Sequence, residues 1–164
     1  MISSMTPFTI VHVVLSLLGI LSGFVVVFGL LTSRLLDGWT ALFLVTTALT
    51  SVTGFLFPVH RFMPSHVFGI LSLIALAIAI FARYRRHLAG SWRRSYVISS
   101  MAALYLNVFV LIVQLYMKVP ALKAIAPTQS EAPFKVTQLT TLAFFIILGI
   151  LASMRFRNEE LHAV

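Results

Sequence analysis

No cysteine occurs in this chain, and only four of its 164 residues are acidic. The first absence removes disulfides, thiolate metal sites, iron–sulfur clusters and c-type haem attachment. The second leaves Asp37, Glu131, Glu159 and Glu160 as the whole carboxylate inventory. None of these lies within a long apolar run, so no carboxylate at membrane depth is expected to relay protons, which argues against a proton-coupled pump. A His–Glu metalloprotease helix, a nucleophile elbow, a Walker loop and a dinucleotide fingerprint are also lacking. Whether the protein is an enzyme stays open on these grounds, with the balance against catalysis.

What the chain has in quantity is apolar surface. Its hydrophobic fraction is 60% and its charged fraction 10%, with a mean hydropathy of +1.03. Soluble domains average about 45–50% apolar and about 25% charged. A soluble domain of this size also buries only about two-thirds of its unfolded surface. Most of these residues are therefore expected to face lipid. The net charge of +8 comes from basic residues scattered between apolar runs. No basic domain and no recognition motif accompanies them, so nucleic acid is not an expected partner. They read instead as topology signals and contacts to lipid headgroups.

A spanning helix takes about 20 apolar residues at 1.5 Å each to cross a hydrocarbon core of about 30 Å. Five runs free of Asp, Glu, Lys and Arg meet or approach that length, at residues 8–31, 39–57, 65–82, 96–117 and 136–154. They predict an all-α fold, a single domain over 1–164 built as a polytopic bundle of five transmembrane helices. The first run lacks the basic flank and the short core, about 7–15 residues, of a signal peptide, so an uncleaved first helix is expected. Arg34, Arg83, Arg85, Arg86, Arg93, Arg94, Arg155 and Arg157 fall on one side of this topology; Arg61, Lys118, Lys123 and Lys135 fall on the other. The richer side is expected in the cytoplasm, giving an outer N-terminus and a cytoplasmic C-terminus. Arg83, Arg85, Arg86, Arg93 and Arg94 become candidate contacts for lipid headgroups. Trp39, Trp92, Tyr84, Tyr96 and Tyr116 lie at run ends, as interfacial anchors do.

The outer loop 118–135 carries Pro120, Pro127 and Pro133 around a polar centre, and 121–126 is apolar enough to lie on the membrane surface as a short amphipathic turn. Polar side chains gather on the same side. His12 and His66 sit near the outer ends of the first and third runs, and His60 lies in the connector between the second and third. Asn107, Gln114 and Lys118 share one face of the fourth helix at spacings of seven and four. Gln138 and Thr141 lie near the outer end of the fifth, and Thr46, Thr50 and Thr53 form a hydroxyl stripe on the second. Glu131 is the one acid on this side. Because hydrocarbon offers no hydrogen-bond partners, these groups are expected to turn inward and converge on an outward-facing, partly polar pocket.

Two chemistries suit such a pocket. His12 and His66 could ligate a metal, haem iron above all. His, Gln and Lys side chains could also hold a quinone or a lipid headgroup, with Asn107, Gln114 and Gln138 contributing. The plainer reading makes the histidines interfacial and the amides interhelical glue, and it is the favoured one. Ser16, Gly19, Gly23 and Gly29 likewise read as a close-packing stripe toward another helix or a partner subunit. A weak echo links His12-Val13 and Gly19-Ile20-Leu21-Ser22 with His66-Val67 and Gly69-Ile70-Leu71-Ser72; the spacings differ, as chance matches in an apolar vocabulary do.

Thr53-Gly54, Ser65-His66, Asn107-Val108-Phe109-Val110, Gln114, Lys118-Val119-Pro120-Ala121-Leu122 and Pro127-Thr128-Gln129-Ser130-Glu131 together resemble a family of small polytopic bacterial inner-membrane proteins with no assigned activity. The resemblance covers about residues 40–154. It implies a bacterial inner-membrane location and carries over no reaction. The functional expectation is a multi-pass module without catalytic machinery. It would act as an accessory subunit of a larger membrane complex, or bind a lipophilic ligand through its outer pocket. An electron-transfer protein holding haem or quinone is the alternative, and a small-solute transporter working as a homo-oligomer the third.

Overall fold

The computed structural model describes residues 6–58, 61 and 64–156, and helices account for nearly all of them. They are α1 (Pro7–Leu31), α2 (Asp37–Phe55), α3 (Pro64–Ile80), α4 (Trp92–Lys118), α5 (Pro120–Ile125) and α6 (Ala132–Arg155), with a π-helical turn, Phe81–Arg85, closing α3. No strand occurs among the described residues. Five of the helices are long and apolar enough to cross a membrane, counting α3 with its π turn and leaving out only α5. The chain is thus an all-helical, multi-span protein suited to a lipid bilayer.

The helix ends follow local chemistry. Thr6 caps α1 by accepting the Thr9 amide at 3.3 Å, and Pro7 occupies the first turn, where a missing N–H costs nothing. At the other end Ser33 adopts a left-handed φ of 58°. The Arg34 amide turns back to Gly29 O at 2.7 Å there, closing a Schellman-type cap. Two spans begin a full turn earlier than the apolar runs suggest: α4 at Trp92 rather than 96, and α6 at Ala132 rather than 136. Charge interrupts an apolar run without interrupting a helix, so Arg93, Arg94 and Lys135 ride in first turns. The amphipathic turn expected at 121–126 is α5.

Helices α1 to α4 form an up-down-up-down bundle in which each packs on the next and α4 closes back onto α1. Helix α6 lies outside this ring, against α4 and α1, and is the least buried of the five spans. Close approach within the ring depends on α1's small residues. A Cβ on Gly19 would stand 3.1 Å from Thr47 Oγ1 and 3.3 Å from both Thr46 Oγ1 and Asn107 Nδ2. One on Gly23 would stand 2.6 Å from Leu104 Cδ1 and 3.1 Å from the Phe43 ring. Gly19 and Gly23 therefore face α2 and α4 of this same chain, the usual means of bringing membrane helices together.

The bundle has two unlike ends. One holds the start of α1, the α2–α3 connector and the α4–α6 segment; it is called here the histidine end. The opposite, arginine end holds the α1–α2 turn, the α3–α4 turn and the end of α6.

Candidate binding site at the histidine end

Hydroxyl-rich helices in hydrocarbon first satisfy themselves. Thr46 Oγ1 donates to Leu42 O at 2.6 Å, Thr50 Oγ1 to Thr46 O at 2.7 Å, Ser22 Oγ to Leu18 O at 2.6 Å and Ser99 Oγ to Ser95 O at 2.6 Å. Each bond reaches back four residues along its own helix. A hydroxyl whose proton is used in this way still has lone pairs to offer. Thr47 Oγ1 accepts from Asn107 Nδ2 at 3.4 Å, joining α4 to α2 beside Gly19. Asn107 is thus interhelical glue, a contact worth about 0.6–2 kcal/mol. Ser51 Oγ, which reaches back to Thr47 O at 3.0 Å, lies 3.2 Å from Ser72 Oγ and joins α2 to α3.

The same logic orients His12. Thr53 Oγ1 donates to Leu49 O at 2.7 Å and lies 2.7 Å from His12 Nδ1. Where that single proton stays on Leu49 O or Thr50 O, Thr53 accepts and His12 Nδ1–H is the donor. In the neutral ring Nε2 then carries the lone pair. The edge of His12 packs against the Phe57 ring, centroids 5.1 Å apart, and Phe57 in turn meets Phe8 at 4.9 Å. A Cβ on Gly54 would lie 3.7 Å from His12 Cε1.

Helix register supplies the neighbours. Gly19, Thr46, Thr47 and Asn107 share one level. Two turns farther on, about 10 Å at 1.5 Å per residue, the antiparallel helices bring His12, Thr53 and Gln114 to a common level. Lys118, one turn beyond, lies within electrostatic reach of His12. Gln114 is half-buried and makes no hydrogen bond to any described residue.

The remaining expected site residues go elsewhere. His66 is buried and stacks on Phe55, centroids 5.6 Å apart and 25° between planes. Positions 53 and 55 point about 200° apart around α2 at 3.6 residues per turn. The two imidazoles therefore flank different sides of α2 instead of sharing one opening. Gln138 Nε2 donates to Phe109 O at 3.3 Å from the α6 side of α4, while its Oε1 is buried without a partner. Glu131 is occupied within its own turn, accepting Thr128 Oγ1 at 2.8 Å and the Thr128 and Ser130 amides at 3.2 and 3.0 Å. The Thr128 hydroxyl, foremost among these donors, holds the carboxyl below its ordinary range. His60 lies outside the described residues. No cluster of three or more His, Cys, Asp or Glu suited to a metal occurs among the described residues.

At the arginine end Arg85, Arg86, Arg93 and Arg94 lie on the surface or partly on it. Arg83, grouped with them as a headgroup contact, is instead inside the bundle. Its side chain is 6% exposed and pairs with Asp37, whose own side chain is 85% exposed. Nη1 donates to Tyr96 Oη at 3.3 Å, and the guanidinium stands 5.6 Å from the Tyr96 ring centroid. The π turn widens α3 where Arg83 folds inward. This pair was within reach of sequence reasoning, since Asp37 is the one acid in the connectors of an end crowded with arginine.

The loop also proves to be tied down. Tyr116 Oη lies 2.8 Å from Thr137 Oγ1 and 3.2 Å from Pro133 O, and Gln129 Nε2 donates to Val113 O at 3.2 Å. Comparison with protein families, curated proteins and solved structures found no match to this chain.

Proposed function

We propose that this protein is a non-catalytic integral membrane module that binds a lipophilic ligand with a polar head at its histidine end, serving as a small binding protein or as the accessory subunit of a larger complex. The observation that carries this reading is the held but half-used imidazole of His12. With Nδ1–H donated to Thr53, Nε2 is an acceptor at the level of Gln114 and within electrostatic reach of Lys118. Such a trio suits a head group that donates a hydroxyl to Nε2 and accepts from the amide or the cation. The flanking Phe8 and Phe57 rings suit the apolar part that follows.

The ligand should appear in an organic extract of the detergent-purified protein, and His12→Ala and Gln114→Leu should each reduce it. Extracts that are the same for wild type and both variants would overturn the reading.

We further propose that the histidine end faces outward and the arginine end the cytoplasm. The support is the eight-to-four bias of Lys and Arg between the two sides. The bacterial inner membrane is the location that the family resemblance implies. Because the chain has no cysteine, single replacements report side unambiguously. Ser130→Cys should react with an impermeant maleimide on intact spheroplasts and Gly90→Cys should not; the reverse pattern would invert the topology.

An electron-transfer role is the second reading, favoured by the same atom. An imidazole that donates Nδ1–H to a fixed acceptor is oriented as metal-bound histidines are, and a quinol hydroxyl could donate to the same Nε2. In this reading His12 acts without His66, which lies against another side of α2. Haem would give a Soret band that His12→Ala removes, whereas a colourless preparation from haem-replete cells would exclude haem and leave quinone to the extract.

A further inference from the structure

A second hollow lies at the other end of the molecule. Because α6 leans on the ring from outside, a groove of about 640 Å³ opens between it and α4. The small residues Ala102 and Gly149 line it from opposite helices, and a Cβ on Gly149 would meet only Met101 Cγ, at 3.7 Å. Tyr105 and Phe145, with ring centroids 5.6 Å apart, line it at the end of the α4 wall away from Arg93. Arg93 and Arg94 stand at the mouth. From Arg93 to Tyr105 the α4 wall runs twelve residues, about 18 Å at 1.5 Å per residue. One leaflet of a hydrocarbon core of about 30 Å is about 15 Å deep.

Charge identifies the occupant. No Asp or Glu lines the groove, and neither Arg93 nor Arg94 has an ion-pair or hydrogen-bond partner among the described residues. Asp37, the one described acid at this end, is already paired with Arg83. Two guanidinium groups without an acidic partner among the described residues, above an apolar trough one leaflet long, match an anionic head above an acyl chain. We infer that the α4–α6 groove is a binding site for one anionic phospholipid, its phosphate on Arg93 and Arg94 and one acyl chain lying past Ala102 and Gly149 to Tyr105. This site is separate from the histidine end and does not depend on the ligand proposed there.

The test is native mass spectrometry of the full chain in detergent with phosphatidylglycerol and phosphatidylcholine at equal concentration. Wild type should keep one phosphatidylglycerol in preference to phosphatidylcholine. Arg93→Gln with Arg94→Gln should lower that preference about tenfold or more, at roughly 1 kcal/mol per basic residue near a lipid surface. Arg85→Gln with Arg86→Gln should leave it unchanged. Gly149→Leu should evict the lipid by filling the trough, and Ala102→Leu plugs it from the opposite wall should the first variant fail to fold. Excess inorganic phosphate should not displace the lipid. Equal retention of both lipids, equal losses in the two arginine pairs, displacement by phosphate, or a lipid-free dimer sealed through this face would each overturn the proposal.

Discussion

The two ends of this bundle treat a nitrogen base in opposite ways. At the arginine end Arg83 is enclosed, paired with Asp37, bonded to Tyr96 and stacked near its ring; both of its terminal nitrogens are engaged by the fold. At the histidine end His12 is held through Nδ1 alone. Both arrangements obey the rule that polar groups in a membrane need partners. Only one leaves an atom over. The difference teaches that a polar residue at membrane depth is not a site merely by being there: the informative quantity is how much of its bonding capacity the protein itself consumes. By that measure Arg83 and Glu131 are structural, and His12, Gln114 and Lys118 are available.

The comparison breaks most visibly if stability does not divide as the contacts do. Arg83→Ala should cost about 2–4 kcal/mol, since it removes a packed stem and a paired charge at once. Each folded molecule should still retain any ligand of the histidine end. Thermal unfolding in detergent, followed by circular dichroism, would check the cost. Asp37→Asn should cost less, about 1 kcal/mol, because its carboxylate is mostly in water.

In the middle, Asn107→Leu should lose about 1 kcal/mol or slightly more, the scale of one interhelical hydrogen bond. The same unfolding assay reads it, and a neutral result would make the Thr47 contact incidental. His12→Gln should be the mildest of these changes, under about 1 kcal/mol, since His12 contributes one part-buried hydrogen bond. It should nevertheless be the one that empties the organic extract.

The smallest effect concerns pH. Glu131 titrates below its ordinary value of 4.5 because Thr128 and Ser130 donate to its ionised form. A carboxyl whose folded pKa is depressed contributes stability that is present above the ordinary value and lost as pH falls through the folded one. Below pH 4.5 the turn before α6 should therefore loosen while the spans stay folded. Backbone hydrogen exchange at 126–131 would show it, and Glu131→Gln should remove the pH dependence.

Much of this architecture is legible in the sequence. Five apolar runs become five span-length helices because hydrocarbon admits little else. The ends are read less well, since run-counting stops at charge whereas helices stop at caps: α4 carries Arg93 and Arg94 in its first turn, and α6 starts at Pro133's turn rather than after Lys135. The site was legible by half. Spacing alone puts Asn107, Gln114 and Lys118 on one face of α4, because a single helix has a fixed period. Whether His66 and Gln138 joined them depended on how helices pack around one another, which no periodicity encodes. Phe55 settled it for His66, whose ring it takes up on the far side of α2 from His12. The pairing of Arg83 with Asp37 was hidden for another reason, that a cluster of five arginines reads as uniformly exposed until one is seen to fold inward at a π turn.

The most direct test is the protonation pattern of one ring. In protein labelled with nitrogen-15 histidine and assigned by difference against His12→Ala, nitrogen spectra should show neutral His12 with its proton on Nδ1 and a bare Nε2. Thr53→Val should abolish that preference, and bound ligand should shift the Nε2 resonance. A proton on Nε2 in wild type, unmoved by Thr53→Val, would contradict the account.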